Sequence, residues 1–252
     1  MRRRATIITY HAVADCPPAE DPHNLFVSPS AFAEQMRYLA RRRRVVTLEE
    51  AMSGAPGDGV VAITFDDAYM TVSENAVPIL AELGLPATIF VPTTWIGKRA
   101  GWLTPSACDL RIMDEAALRH AMDLGMTIES HGAEHAHLTR VAAPEAMKDV
   151  TASADRIEEI TGRRPRYLAY PYGEFSASVA RAVREAGFAA AFSLDRPGPD
   201  PFAYERTQIT PLDGRAMFAL KTSGRFLGFR HAPAARAVYS VVGPVIRRAR
   251  RR

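Results

Sequence analysis

Cysteine is scarce in this chain: Cys16 and Cys108 are the only two in 252 residues. That number supports neither a disulfide framework nor a thiolate metal cluster, so both read as incidental thiols. No apolar run reaches the roughly 18 residues that a membrane span requires. A glycine-rich phosphate turn after the first apolar segment is also missing, which favours a barrel over an open nucleotide-binding sheet. The start is basic, but its apolar stretch is broken by Thr9 and His11. It fits a first strand better than a secretory signal, and the expectation is a cytoplasmic protein.

What is present is ample apolar material: 47% of residues are hydrophobic and 24% charged, enough for one large soluble domain. The formal charge of +4 conceals arginine runs at 2–4, 41–44 and 247–252, the last interrupted only by Ala249. The plain reading is a solvated helix end and two solvated termini. At the C-terminal end, however, Val238, Tyr239, Val241, Val242, Val245 and Ile246 precede the basic cluster. An apolar segment beside clustered arginines suits peripheral contact with an anionic membrane, here at the inner face. No nucleic acid partner is expected, because no binding fold or aromatic stacking motif accompanies the charge.

Elements alternate along the chain. Strands are expected at 5–10, 60–65, 87–91, 126–129, 167–170 and 189–193. Helices are expected from Ser28-Pro29 through Leu39, then at 73–83, 113–124, 144–161 and 176–186. Gly84, Gly125, Gly162 and Gly187 each stand where a helix should stop. Such alternation predicts parallel strands joined by crossover helices, an α/β fold of distorted (β/α) barrel type over residues 5–210. Residues 195–204, with three prolines, read as a loop. After Gln208 and Ile209 the pattern fades, and 211–252 is expected to be a helical, basic appendage.

Three short stretches follow buried-strand runs: Thr64-Phe65-Asp66-Asp67, Ser130-His131-Gly132-Ala133-Glu134-His135 and Tyr170-Pro171-Tyr172-Gly173. Singly each has an ordinary explanation as a turn, a cap or surface histidines. In a parallel barrel, though, the carboxyl ends of strands share one rim, where chemistry sits. Two imidazoles at i and i+4 share an ion if the segment turns helically. One of the two aspartates would complete a three-ligand site with an open position, and the other would stand by as a base.

The three motifs together resemble the polysaccharide deacetylase family, the metal-dependent carbohydrate esterases with a NodB-type domain. The likeness also covers Ile8-Thr9-Tyr10-His11, Val27-Ser28-Pro29 and Phe32-Ala33-Glu34-Gln35-Met36, and runs to about Thr210. It implies Asp66 as catalytic base, Asp67, His131 and His135 as metal ligands, and Pro171 and Tyr172 at the oxyanion, through the Tyr172 backbone N–H. Zinc is the metal that the resemblance favours; two imidazoles and a carboxylate also accept Co²⁺, Ni²⁺ or Fe²⁺.

The commonest family pattern has an arginine two residues before Pro-Tyr-Gly, where this chain has Ala169, and an acid histidine near the C-terminus. Position 11 offers a histidine at the end of the first strand, an order similar to the permuted subgroup that includes poly-N-acetylglucosamine deacetylases. His11 is therefore the expected general acid, with His231 as the alternative. Trp95 and Trp102 read as packing, with a sugar-stacking wall as the alternative. His137 reads as a solvated loop residue or as support for a ligand. The implied activity is hydrolysis of an N-acetyl group on an amino-sugar substrate (a sugar conjugate, a lipid-linked intermediate or a polysaccharide), releasing acetate. The rivals are a hydrolase of a non-sugar or cyclic amide on the same fold, and a carbohydrate-binding relative without turnover.

Overall fold

In the computed structural model, residues 5–54, 59–103, 108–194 and 200–230 are described. The strands are β1 (Thr6–Tyr10), β2 (Ala12–Val13), β3 (Phe26–Val27), β4 (Arg44–Val45), β5 (Val60–Phe65), β6 (Ala87–Val91), β7 (Thr127–Ser130), β8 (Tyr167–Ala169), β9 (Ala190–Ser193), β10 (Tyr204–Glu205) and β11 (Thr207–Gln208). Nine of them form one parallel sheet in the order β10-β9-β8-β7-β6-β5-β1-β11, with β4 beside β5. β10 and β11 sit at opposite edges of this sheet yet are separated in sequence by Arg206 alone. The chain itself thus crosses the seam, and the sheet is nearly closed into the expected barrel.

Helices surround it: α1 (Pro29–Arg42), α2 (Leu48–Met52), α3 (Val77–Glu82), α4 (Glu115–Asp123), α5 (Ala143–Thr161), α6 (Ala177–Glu185), α7 (Arg215–Lys221) and α8 (Phe226–Arg230). α1 begins as the sequence suggests, with the Ser28 hydroxyl accepting from the Ala31 N–H and Pro29 in the first turn. Its stripe of Phe32, Met36 and Leu39 is buried. α5 ends at Gly162, whose left-handed φ of 71° closes the helix. The helix expected at 73–83 is instead a π-type turn over Val72–Ala76 leading into α3. Pro78, with no N–H to give the preceding turn, accounts for that break.

Both faces of the central strands are covered, so they read as continuous apolar runs, and period-two alternation sorts their residues. Ile7, Ala62, Phe90, Ala169 and Phe192 fall in one cluster inside the barrel, while Ile8, Ile63 and Ile89 pack towards the helices. β10 begins at the last residue of the expected loop, and β11 ends just where the pattern is expected to fade. Two-residue strands are too short for any alternation to show. Of the expected appendage, α7 and α8 are helical, and residues 231–252 lie outside the described residues. Among the described residues no helix is long and apolar enough to cross a membrane.

The cysteines are a correction. Cys16 and Cys108 form a disulfide across 92 residues, with Cα atoms 5.8 Å apart. The sequence separation concealed this. The fold brings the loop after β2 against the segment before α4.

Candidate active site

The interior parity of β5 runs through Ala62 and Thr64 to Asp66, whose carboxylate therefore points into the barrel. Asp67 would normally face the other way. The backbone re-aims it: Asp67 and Ala68 adopt left-handed φ values of 66° and 52° just where the strand has ended. Four of the five non-glycine residues with positive φ among the described residues are Asp67, Ala68, His135 and Tyr172. Strain of this kind costs about 1–3 kcal/mol per residue and persists only where its surroundings hold it. Here it gathers on one rim.

β7 delivers His131, whose N–H donates to the Val91 carbonyl of β6. The segment from His131 to His135 does not take the helical turn that would put both imidazoles on one face; it is a loop. Asp149 of α5 shapes it, accepting from the Ala133 and Glu134 N–H groups at 2.9 Å each, one per carboxylate oxygen. Gly132 passes so close that a Cβ there would lie 2.7 Å from Asp149 Oδ1. The loop, with His135 at φ 52°, brings the two imidazoles together. Asp149 was not legible in sequence, because an acid inside a long helix carries no local signal.

The three groups expected to bind a metal converge. His131 Nε2 and His135 Nε2 lie 3.3 and 3.1 Å from Asp67 Oδ1, and all three ligand atoms fall within 4.8 Å of one another. His131 Nδ1 is 2.7 Å from the Ala169 carbonyl, which fixes its proton on Nδ1 and leaves the Nε2 lone pair facing Asp67. Asp67 Oδ1 is buried without a hydrogen-bond partner. Lone pairs of nitrogen and carboxylate oxygen converging in a buried space repel unless a cation or proton lies between them. Their donor set, two imidazoles and one carboxylate, fits a divalent transition metal with an open position. Burial raises the Asp67 pKa, but the adjacent imidazoles of His135 and His131 outweigh it and hold the carboxyl well below its usual range.

Asp66 has a separate partner. Arg206, fully buried at the barrel seam, donates from Nη1 to Oδ1 and from Nη2 to Oδ2, both at 2.7 Å. Its Nη1 also reaches the Thr9 and Thr64 hydroxyls, and the guanidinium carbon stands 5.2 Å from the centre of the Phe90 ring. Burial pushes the Asp66 pKa up, yet Arg206 and His131 bring it below the ordinary value. The sequence shows Ala169 where the commonest family pattern has an arginine, and carries no sign of Arg206 as a partner of Asp66. Arg206 comes from the far end of the chain, between two strands that have no motif of their own.

His11 follows β1, whose Tyr10 pairs with Phe65 of β5, and is half-buried with its Nδ1 enclosed and without a hydrogen-bond partner. It belongs to the same constellation. His231 and Asp195 lie outside the described residues. Pro171 is buried, and Tyr172 and Gly173 both take left-handed φ values, 60° and 69°. The Tyr172 ring, 39% exposed, meets His135 edge-on and stacks on His137 at 3.7 Å. His137 in turn contacts Glu174 at 3.0 Å and is no free loop residue. Trp102 stacks on His135 at 4.0 Å, and Trp95 packs edge-on against Trp102. Aromatic faces thus flank His135 and form one wall of the rim.

A family model described as "Polysaccharide deacetylase" matches residues 53–191. A relative named "Putative polysaccharide deacetylase YxkH", from Bacillus subtilis, is 22% identical over 210 residues, 81% of this chain and 71% of its own. The "Poly-beta-1,6-N-acetyl-D-glucosamine N-deacetylase" of Staphylococcus aureus (strain MRSA252) is 27% identical over 192 residues, 71% of this chain and 64% of its own length. Among solved structures, the Streptococcus pyogenes deacetylase PplD in complex with acetate has a TM-score of 0.76 at 21% identity, covering 88% of this chain and 99% of that one. IcaB from Ammonifex degensii has a TM-score of 0.74 at 23% identity, covering 88% and 97%. At these identities the solved structures speak for the fold, while the family model spans more than half of the chain. The chain belongs to the polysaccharide deacetylase family.

Proposed function

We propose that this protein is a divalent-metal-dependent N-deacetylase of amino-sugar polymers or conjugates, with zinc as the resident ion. The observation that carries the reading is the division of labour between adjacent aspartates. Asp67 meets two imidazoles around one point, while Asp66 is held apart by Arg206. A bound divalent cation supplies Lewis acidity and a water of lowered pKa.

The chain's own residues account for the proton movements. Asp66, kept ionised by Arg206, accepts the proton of the attacking water. The Tyr172 N–H, presented by the left-handed turn, stabilises negative charge on the former carbonyl oxygen; one such donor is worth roughly 2.7–4 kcal/mol. His11 gives a proton to the departing nitrogen as the C–N bond breaks, leaving acetate and a free amine. The aromatic wall of Trp102 and Tyr172 suits the apolar face of a sugar ring. N-acetylglucosamine is the favoured unit, supported by the name of the staphylococcal relative.

Acetate release from N-acetylglucosamine oligomers, measured before and after chelation and with Zn²⁺ restored, tests the proposal. Loss and recovery with the metal support it. Hydrolysis of non-sugar amides alone would favour the rival hydrolase. Stoichiometric metal binding without turnover on any substrate would favour a binding protein.

A further inference from the structure

Four of the six large apolar side chains exposed among the described residues cluster late in the chain: Leu212, Met217, Leu220 and Phe229, at 76, 43, 36 and 64% exposure. Within α7 only Phe218 is fully buried, edge-on against Tyr38 of α1. The helix leaves Met217 and Leu220 facing outwards. Scattered exposed apolar residues are normal, but a cluster on one short segment is not.

Cationic clefts border this segment, taking Pro211, Asp213, Gly214 and Arg215 into one and Leu220 and Arg225 into the other. A cleft of about 710 Å³ between α1 and the start of α7 is lined by Arg37, Arg41, Arg42 and Arg215. A neighbouring cleft of about 510 Å³ shares Arg42 and adds Arg43, Leu220 and Arg225. Among the described residues Arg37, Arg41, Arg42 and Arg225 have no carboxylate partner. The acids of the first cleft are engaged: Glu34 by Arg215 at 3.1 Å and Asp213 by Lys221 at 2.6 Å.

We propose that this α1–α7–α8 face docks on an anionic phospholipid bilayer, independently of the deacetylase chemistry. The arginines would meet lipid phosphates, and Leu212, Met217, Leu220 and Phe229 would enter the interfacial region. Charge complementarity selects this occupant. Residues 231–252 contain six arginines and no acid, so electrostatics disfavours their covering the face, and the same bilayer attracts them too. A nucleic acid would use the arginines and leave the four apolar side chains without a role.

The test is flotation of the full chain with vesicles of phosphatidylcholine alone or with one third phosphatidylglycerol, alongside heparin binding. Wild type should float only with the anionic vesicles. Each arginine near such a surface contributes about 1 kcal/mol, so R41A/R42A should weaken binding by roughly tenfold or more. L212S/F229S, which changes no charge, should weaken vesicle binding by a similar factor yet leave heparin binding unchanged. Circular dichroism melts of both double variants control for folding. Undiminished flotation of R41A/R42A would overturn the proposal, leaving the 231–252 segment as the binding element. Undiminished flotation of L212S/F229S would overturn the role of the apolar side chains, and flotation with neutral vesicles would contradict the proposal.

Discussion

Arg206 grips Asp66 through two parallel hydrogen bonds of 2.7 Å, although 140 residues separate the two in the chain. Because Arg206 spans the seam between the edge strands, barrel closure and the ionisation of the proposed base are one structural fact. R206M leaves a buried carboxylate without its counter-charge, a change that costs about 3–5 kcal/mol. With burial unopposed by the guanidinium, the Asp66 pKa should rise. The acid limb of kcat/KM against pH should then move to higher pH, with kcat falling more than KM. An unshifted limb would mean that another group governs it.

The same pair makes a prediction for stability. The folded-state pKa of Asp66 lies below its ordinary value, near 3.9 when unfolded. Its contribution is therefore present above about pH 4 and lost as pH falls through the folded value. Urea unfolding of metal-free protein between pH 5 and pH 2.5 should show this decline, and D66N should flatten it. Equal slopes in the two proteins would contradict the assignment.

Asp149 holds the loop that carries both histidines through two backbone N–H groups. D149A should weaken Zn²⁺ binding by about 10–100-fold, the usual effect of losing support behind a ligand. G132A should do the same, since its Cβ would collide with that carboxylate at a φ of 73°. Competition with a chromogenic chelator measures both.

Because Cys16 and Cys108 are bonded, alkylation of unfolded protein without reductant should label neither. C16S/C108S should lose about 2–4 kcal/mol of stability. The same measurement on protein from its own cell examines the cytoplasmic expectation, since reducing compartments keep such pairs as thiols. Quantitative labelling there would favour the cytoplasm.

The barrel was legible because its central strands are long apolar runs punctuated by glycine-stopped helices. The site was legible because strand ends share a rim, so Asp66, Asp67, His131, His135 and Tyr172 could be grouped before any distance was known. What escaped was whatever depends on closure. Arg206 sits between two-residue strands, Asp149 lies inside a helix, and the two cysteines are joined across 92 residues. The i,i+4 spacing of His131 and His135 allows a shared ion through a helical turn, whereas Asp149 and left-handed backbone achieve the same convergence in a loop. These are long-range effects, and local sequence pattern cannot carry them.

Zinc titration of the chelator-treated chain by calorimetry, followed by acetate release from each loaded sample, tests the account most directly. Wild type should bind one equivalent and release acetate. D67A and H131A should lose the high-affinity event, whereas D66N should still bind one equivalent yet fall at least about 100-fold in kcat. Equal, undiminished binding by D67A and H131A, or full turnover by D66N, would contradict the division of roles between the two aspartates.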